Sequence, residues 1–358
     1  MHHALTLVNQ GNQDLLGLSD DMVSTASEMR ARAIDCMLKF ESPEGTPDQG
    51  TFGFWPRISD YDSPDNPLES VLFEILQGPV LGGNRAPINL SYYPKEMAIP
   101  SDADVTATTY VALLDNESLD GGPAVNTDFA QFFADWRDIG AVPLRLTPDW
   151  LPPSSGVFLT WLSYHDPPDS ALPNDVDLVV NANVVYALAR AGRTDTPGFA
   201  ESINLINDIV AQRLHRTRFS EISSYYPDSY VFEYCVSRAF REGPAPELAP
   251  SVEAFAQEIV SAAIQREDGA ACWDKGDPAL NTAFAVLTLL YAGSTTPLIE
   301  SGVNFLVRLQ NPLSGGWKES VFFLARADSG AEIYWSSEAL TTAMALEAIC
   351  RYRLSVAK

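Results

Sequence analysis

What most limits the folds open to this chain is a segment type that recurs along it. A helix-capping residue is followed by small and branched apolar residues with no polar face. The segments are SDADVTATTYVALL from Ser101, DVDLVVNANVVYAL from Asp175, DPALNTAFAVLTLL from Asp277 and SEALTTAMALEAI from Ser337. Asp and Ser at a helix start accept a backbone N–H of the first turn, so each segment predicts a capped helix. A helix that is apolar nearly all round must be enclosed on both sides. A weaker member, DSYVFEYCVSRAF from Asp228, fills the longest gap, and a sixth begins near Pro67 in PLESVLFEIL. Between them lie segments with amphipathic spacing: DDMVSTASEMRARAIDCMLKF, DFAQFFADWRDI, GFAESINLINDIVAQRL, SVEAFAQEIVSAAIQ and LIESGVNFLVRLQ. Alternating enclosed and amphipathic helices, with no β-rich runs bounded by turn pairs, predict an all-α chain. The arrangement expected is an (α/α)6 toroid of inner and outer helices in one domain, 1–358, with residues 1–20 a poorly ordered N-terminal segment.

The turns between the two layers carry a second mark, glycine followed shortly by tryptophan: Gly53 to Trp55, Gly156 to Trp161, Gly269 to Trp273 and Gly315 to Trp317. Gln49, Gln265 and Gln310 lie upstream of three of them. The expected division of labour has the glutamine satisfying the last carbonyls of an outer helix while the tryptophan covers its apolar end, as a turn anchor.

With 47 acidic against 23 basic side chains and a net charge of -24, the mean field repels nucleic-acid phosphates and anionic lipid surfaces. No apolar run is long enough to span a bilayer and the N-terminus lacks signal-peptide character, so a cytoplasmic protein is expected. The four cysteines, Cys36, Cys235, Cys272 and Cys350, are widely spaced, which predicts reduced, buried thiols. The basic island QRLHRTRF, with Arg213, His215, Arg216 and Arg218, reads as complementing a helix C-terminus.

At this point the sequence resembles the squalene and hopene cyclases and their class II terpene cyclase relatives. LVRLQNPLSGGW is similar to that family's glutamine–tryptophan motif, with Gln310, Gly315 and Trp317 at matching positions, and DADVTA resembles its Asp-x-Asp-Asp-Thr-Ala motif. The likeness runs from about Gly50 onward. It implies an α/α toroid, Asp104 as the general acid toward an isoprenoid alkene or epoxide, and cyclisation through carbocations. Two departures stand out: Val105 replaces the last aspartate of the motif, and 358 residues leave little room for the second helical domain usual in the family. The cavity then lies within one toroid or is covered by another subunit of a homo-oligomer.

Residues two apart point to opposite sides of a helix, so Asp102 and Asp104 converge only if Asp102 is the cap. The expected roles are an ionised Asp102 at the helix N-terminus and a protonated Asp104 facing an apolar cavity. Candidate substrate contacts are Tyr110, Tyr186, Tyr230, Phe232, Phe284 and Trp335, whose rings attract a carbocation. The polar cluster Asp175, Asp177, Asn181 and Asn183 also belongs to the candidate site, since asparagines in an apolar helix need hydrogen-bond partners. No metal site and no cofactor are expected, Mg²⁺ entering only if the substrate carries a diphosphate. Zinc chemistry finds no pattern: His165 and His215 lie near no cysteine in sequence. The readings left open are a noncatalytic toroid holding a hydrophobic ligand and a metal-assisted enzyme built on Asp175 and Asp177.

Overall fold

In a computed structural model, the described residues are 2–9, 12–42, 44, 48–53, 101–120, 122, 124–162, 174–276, 278–326 and 332–357. They are mostly helical. The helix predicted near Pro67, together with Asp277, Trp55 and His165, lies outside them. Helix α1 spans His2–Asn9, α2 Asp20–Met37, α3 Ala103–Asp120, α4 Phe129–Asp135, α5 Leu178–Arg190 and α6 Phe199–Ala211. Then come α7 Ser229–Glu242, α8 Ala249–Ala262, α9 Pro278–Tyr291, α10 Leu298–Leu309 and α11 Glu338–Val356. Residues 2–9, expected to be poorly ordered, form α1, and Ala4 and Leu7 are buried on it.

The caps do what their chemistry requires. Asp102 accepts the Val105 N–H at 2.7 Å, Asp228 that of Tyr230 and Ser337 that of Leu340. In the segment from Asp175 the cap is Asp177, not Asp175: it accepts the N–H groups of Val179 and Val180. Every residue of α5 from Leu178 to Ala189 is buried, as is nearly all of α9. On α10, by contrast, Ile299, Gly302, Val303, Phe305 and Leu306 are buried while Glu300 and Arg308 face out. Of the small-residue segments, α5 and α9 are thus enclosed along their length, α3 and α11 keep exposed positions such as Thr108 and Leu346, and the amphipathic segments form the covering layer. Helix α5 packs between α3 and α7, α9 between α7 and α11, and α1 touches both α11 and α3. Among the covering helices α6 leans on α5 and α8, α8 on α7 and α9, and α10 on α9 and α11.

A repeated turn joins the layers, in a different register from the glycine–tryptophan spacing. Gly50, Gly156 and Gly315 have φ of 87°, 79° and 73°, a region that glycine enters without strain. Two residues on, the N–H groups of Phe52, Phe158 and Trp317 donate to Thr106, Asn181 and Thr342 in the first turns of the enclosed helices, at 2.9–3.0 Å. Gly269 begins a longer version in which β1 Ile264–Gln265 and β2 Ala271–Cys272 pair, and the Trp273 N–H reaches Thr282 at 3.4 Å. Trp273 and Trp317 are anchors, as expected, but they take the carbonyl role assigned to glutamine. The Trp273 indole N–H donates to Ile259 O at 2.7 Å and that of Trp317 to Leu306 O at 2.8 Å, each in the last turn of a covering helix. Gln310 instead donates to Gly315 O.

Three further expectations change. An antiparallel hairpin, β3 Ser320–Arg326 and β4 Glu332–Ser337, stands before α11 where no β structure was predicted. Cys235 and Cys272 are buried and Cys350 half-buried, but Cys36 is exposed. In the basic island His215 is fully buried against Phe232 and Phe255 and meets Glu258 at 2.9 Å, while Arg216 pairs with buried Glu233 and with Glu258. A guanidinium held between two carboxylates, one of them fully buried, ties layers together, which goes beyond complementing a helix end.

Candidate functional site

Four consecutive residues, 223–226, run past the starts of α3 and α5 and tie down three of the four aspartates that the sequence singles out. Ser223 Oγ and the Ser224 N–H donate to Asp177 Oδ2 at 2.7 and 2.9 Å. The Tyr225 hydroxyl donates to Asp175, and the Tyr226 hydroxyl to Asp104 Oδ2. The two aspartate pairs therefore meet at one place, with a backbone strap as their common partner.

Asp104 sits in the first turn of α3, and its other oxygen accepts Asn183 Nδ2 from α5 at 2.5 Å. Asn183 Oδ1 in turn accepts Arg238 Nη2 from α7 at 2.6 Å, which fixes the orientation of the amide. The guanidinium lies between two tyrosine faces, 4.7 Å from the ring centre of Tyr186 and 5.0 Å from that of Tyr234. Its Nη1 donates to the Tyr234 hydroxyl at 3.2 Å, and that hydroxyl points on to Glu347 on α11 at 3.4 Å. Tyr291 of α9 and Arg351 also reach Glu347, at 2.7 and 2.8 Å, and Arg351 meets Glu242 at 2.9 Å. One hydrogen-bonded line thus crosses five enclosed helices, with carboxylates and guanidiniums alternating along it.

The expected protonation roles are reversed in strength. Asp102 is 5% exposed, and burial and the neighbouring Asp104 charge push its carboxyl well above the usual range against a few backbone N–H bonds. Burial also raises Asp104, but the Tyr226 hydroxyl, the Asn183 amide and Arg238 pull it back. Asp104 was expected in an apolar environment; it has a polar one. Burial lifts Asp177 to about 6 despite its hydrogen bonds, and holds Tyr226 far above the normal phenol range, helped by Asp104.

The remaining candidates divide. Asp175 pairs with Arg145 at 3.1 Å as well as with Tyr225. Asn181 spends all its capacity within the fold, accepting from the Phe158 N–H and Ser202 Oγ and donating to Phe158 O and Asp177 O. Tyr186 lies against Arg238, and Phe284 packs on Tyr234 with ring centres 5.1 Å apart. Tyr110 stacks on Phe129 and donates to Gly50 O; Tyr230 donates to Trp273 O; Phe232 packs on Phe255. These three belong to contacts with the covering layer and the turns. Trp335 is on β4, not on an enclosed helix, and touches Phe323, which packs in turn on Tyr225 and Tyr226. The hairpin thereby backs the strap, and the Leu324 N–H donates to Tyr225 O at 2.9 Å.

Sequence reasoning missed Tyr226, Tyr234, Arg238, Glu347 and Arg351. The available signal was charge inside the enclosed segments: Tyr234 with Arg238, and Glu347 with Arg351, stand four apart on one helix face. Among the described residues no group of three or more His, Cys, Asp or Glu is placed to hold a metal, and no helix is long and apolar enough to cross a membrane.

No protein family and no curated protein matches the chain. Among solved structures, a protein from Actinoplanes matches at 15% identity over 100% of this chain and 90% of its own, with a TM-score of 0.46. A likeness at that level carries no argument about architecture or activity.

Proposed function

We propose that the protein is a class II terpene cyclase-like enzyme, one closed α/α toroid in which Asp104 protonates an isoprenoid alkene or epoxide that then cyclises through carbocations. The order of packing, in which α3, α5, α7, α9 and α11 are successive neighbours and α1 meets both ends of the series, supports the closed ring. The observation that carries the activity is the setting of Asp104. Its carboxyl is turned toward α5 and the strap and raised by burial, beside the still more strongly raised Asp102. A carboxylic acid whose ionisation is disfavoured by its surroundings is what protonation of a weak base requires. Val105 removes one motif carboxylate, and Tyr226 takes its place as a hydrogen-bonding partner.

Arg238 favours a second reading, a toroid in the cytoplasm that holds a hydrophobic ligand without turning it over, because it already fills the space between the Tyr186 and Tyr234 rings that a carbocation would use. The metal-assisted alternative gains no support, since Asp175 and Asp177 are engaged by Arg145 and the strap. Incubation with polyprenyl alcohols, epoxides and diphosphates, with Asp104→Asn as the comparison, tests the activity. Cyclised product from the native chain and at least a hundred-fold less from the variant is expected; equal product from both rejects Asp104 as the acid. A lipid that co-purifies and is recovered unchanged supports the second reading.

A further inference from the structure

Arg238 is the one member of the interior line whose charge meets no carboxylate within 4 Å among the described residues. Arg190, Arg216 and Arg351 each have at least one: Asp115, then Glu233 and Glu258, then Glu242 and Glu347. A guanidinium carries five N–H donors, and enclosing it is costly unless they are matched by negative charge. Here one goes to an amide oxygen and one to a phenol, both neutral, while Nε is enclosed with no hydrogen-bond partner. Stacking between Tyr186 and Tyr234 offsets part of the cost and also orients the planar group.

Arg238 is not sealed off. Its neighbours Cys235, Val236, Ser237 and Ala239 are almost completely buried, yet Arg238 itself keeps accessible surface, as do Asp104 and Tyr226. A carboxyl, a phenol and a guanidinium with no carboxylate partner, all three half-buried, are thus gathered where α3, α5 and α7 meet the strap, joined by the Asn183 amide. Nε is out of a ligand's reach, but Nη1 and Nη2 each spend only one hydrogen, on Tyr234 and Asn183. A hydrocarbon beside them would leave their second hydrogens dry, whereas a planar or tetrahedral oxyanion would accept them in the paired geometry for which guanidinium is suited.

We propose that Arg238 anchors an oxyanion of the substrate, a carboxylate or a phosphate, at the junction it shares with Asp104. This rests on the reading of Asp104 as the acid, and it gives that reading a means of arming. The anion cancels a positive charge that favours ionised Asp104, so binding draws a proton onto Asp104. The same cancellation relieves the repulsion between Arg238 and a carbocation formed nearby. The groups that bear on the Asp104 proton are Asp102 on its own helix and Asp177 from α5. Tyr226 comes from the strap, and Cys235 and Arg238 from α7.

The test is calorimetric binding to the full chain of four probes: a farnesyl chain ending in hydroxyl, in carboxylate or in monophosphate, and a straight C16 carboxylate. The anionic farnesyl probes are expected to bind about ten- to hundred-fold tighter than the alcohol. The arms show which oxyanion is preferred. Arg238→Met removes the preference, Arg238→Lys keeps part of it, and Asp104→Asn keeps all of it. In the unmodified chain, titration in two buffers of different ionisation enthalpy is expected to show proton uptake with the anions and none with the alcohol, a readout that needs no variant to fold. Equal binding of alcohol and anion, or a preference that survives Arg238→Met, overturns the anchor, as does failure of every anion to bind. If the straight-chain carboxylate binds through Arg238 and no farnesyl probe binds, the anchor stands and the isoprenoid reading falls.

Discussion

Replacing Asn181 by alanine measures what the repeated turn contributes. The side chain is fully buried and makes four hydrogen bonds. Its loss leaves three groups without that partner: the Phe158 N–H, the Phe158 carbonyl and the Ser202 hydroxyl. Phe158 and Ser202 are themselves fully buried. The fourth, Asp177 O, keeps the Asn181 backbone N–H at 3.0 Å and is unaffected. Each buried group left unpaired costs about 1–3 kcal/mol, so with three of them Asn181→Ala is expected to lose roughly 3–9 kcal/mol, reduced if water enters the gap. That is a large share of the ~5–15 kcal/mol that usually holds a folded domain together. The matched control is Thr342→Ala, which removes the equivalent bond to the Trp317 N–H and is expected to cost about 1 kcal/mol. Urea unfolding followed by tryptophan fluorescence gives both numbers, provided the slope with denaturant is unchanged. A cost for Asn181→Ala within 1 kcal/mol of the control would refute the assignment of Asn181 to the scaffold and return it to the ligand.

Stability should also fall in mild acid through His215. Burial lowers its pKa in the fold, Glu258 opposing, so the unfolded chain binds the proton more readily and stability is lost as pH drops below about 6.5. The decline between pH 7 and pH 5 is expected to be smaller in His215→Gln, which keeps a donor for Glu258; identical declines would count against it. Trp317→Phe keeps the aromatic packing but leaves Leu306 O without the indole N–H, and a loss of about 1–2 kcal/mol by chemical unfolding is expected, against none if water replaces the bond fully.

The layering was legible because enclosure leaves a mark on composition. Runs such as VVNANVVYALA and TAFAVLTLL have no solvent-facing positions, and their caps have one efficient chemistry. The prediction that Asn181 and Asn183 need partners also follows from burial alone, but which of them faces a ligand does not. Asn181 turned to Phe158 and Asn183 to Asp104, because neighbouring helices set the direction. Arg238, Glu347 and Arg351 were passed over since charges four apart on a helix usually describe a wet surface, and only the packing of five helices makes that face internal. The strap was missed for a related reason: SSYYPDS carries the composition of a turn, and its hydroxyls acquire meaning only from carboxylates about 50 to 120 residues away.

The strap at residues 223–226 has a mechanical consequence. Its hydroxyls and one N–H are fastened in succession to a carboxyl in the first turn of α3 and to two in the segment that leads into and caps α5, like a row of stitches. The first turns of α3 and α5 cannot slide past each other without opening one of these bonds, so the strap fixes the register of the two helix starts that carry the candidate site.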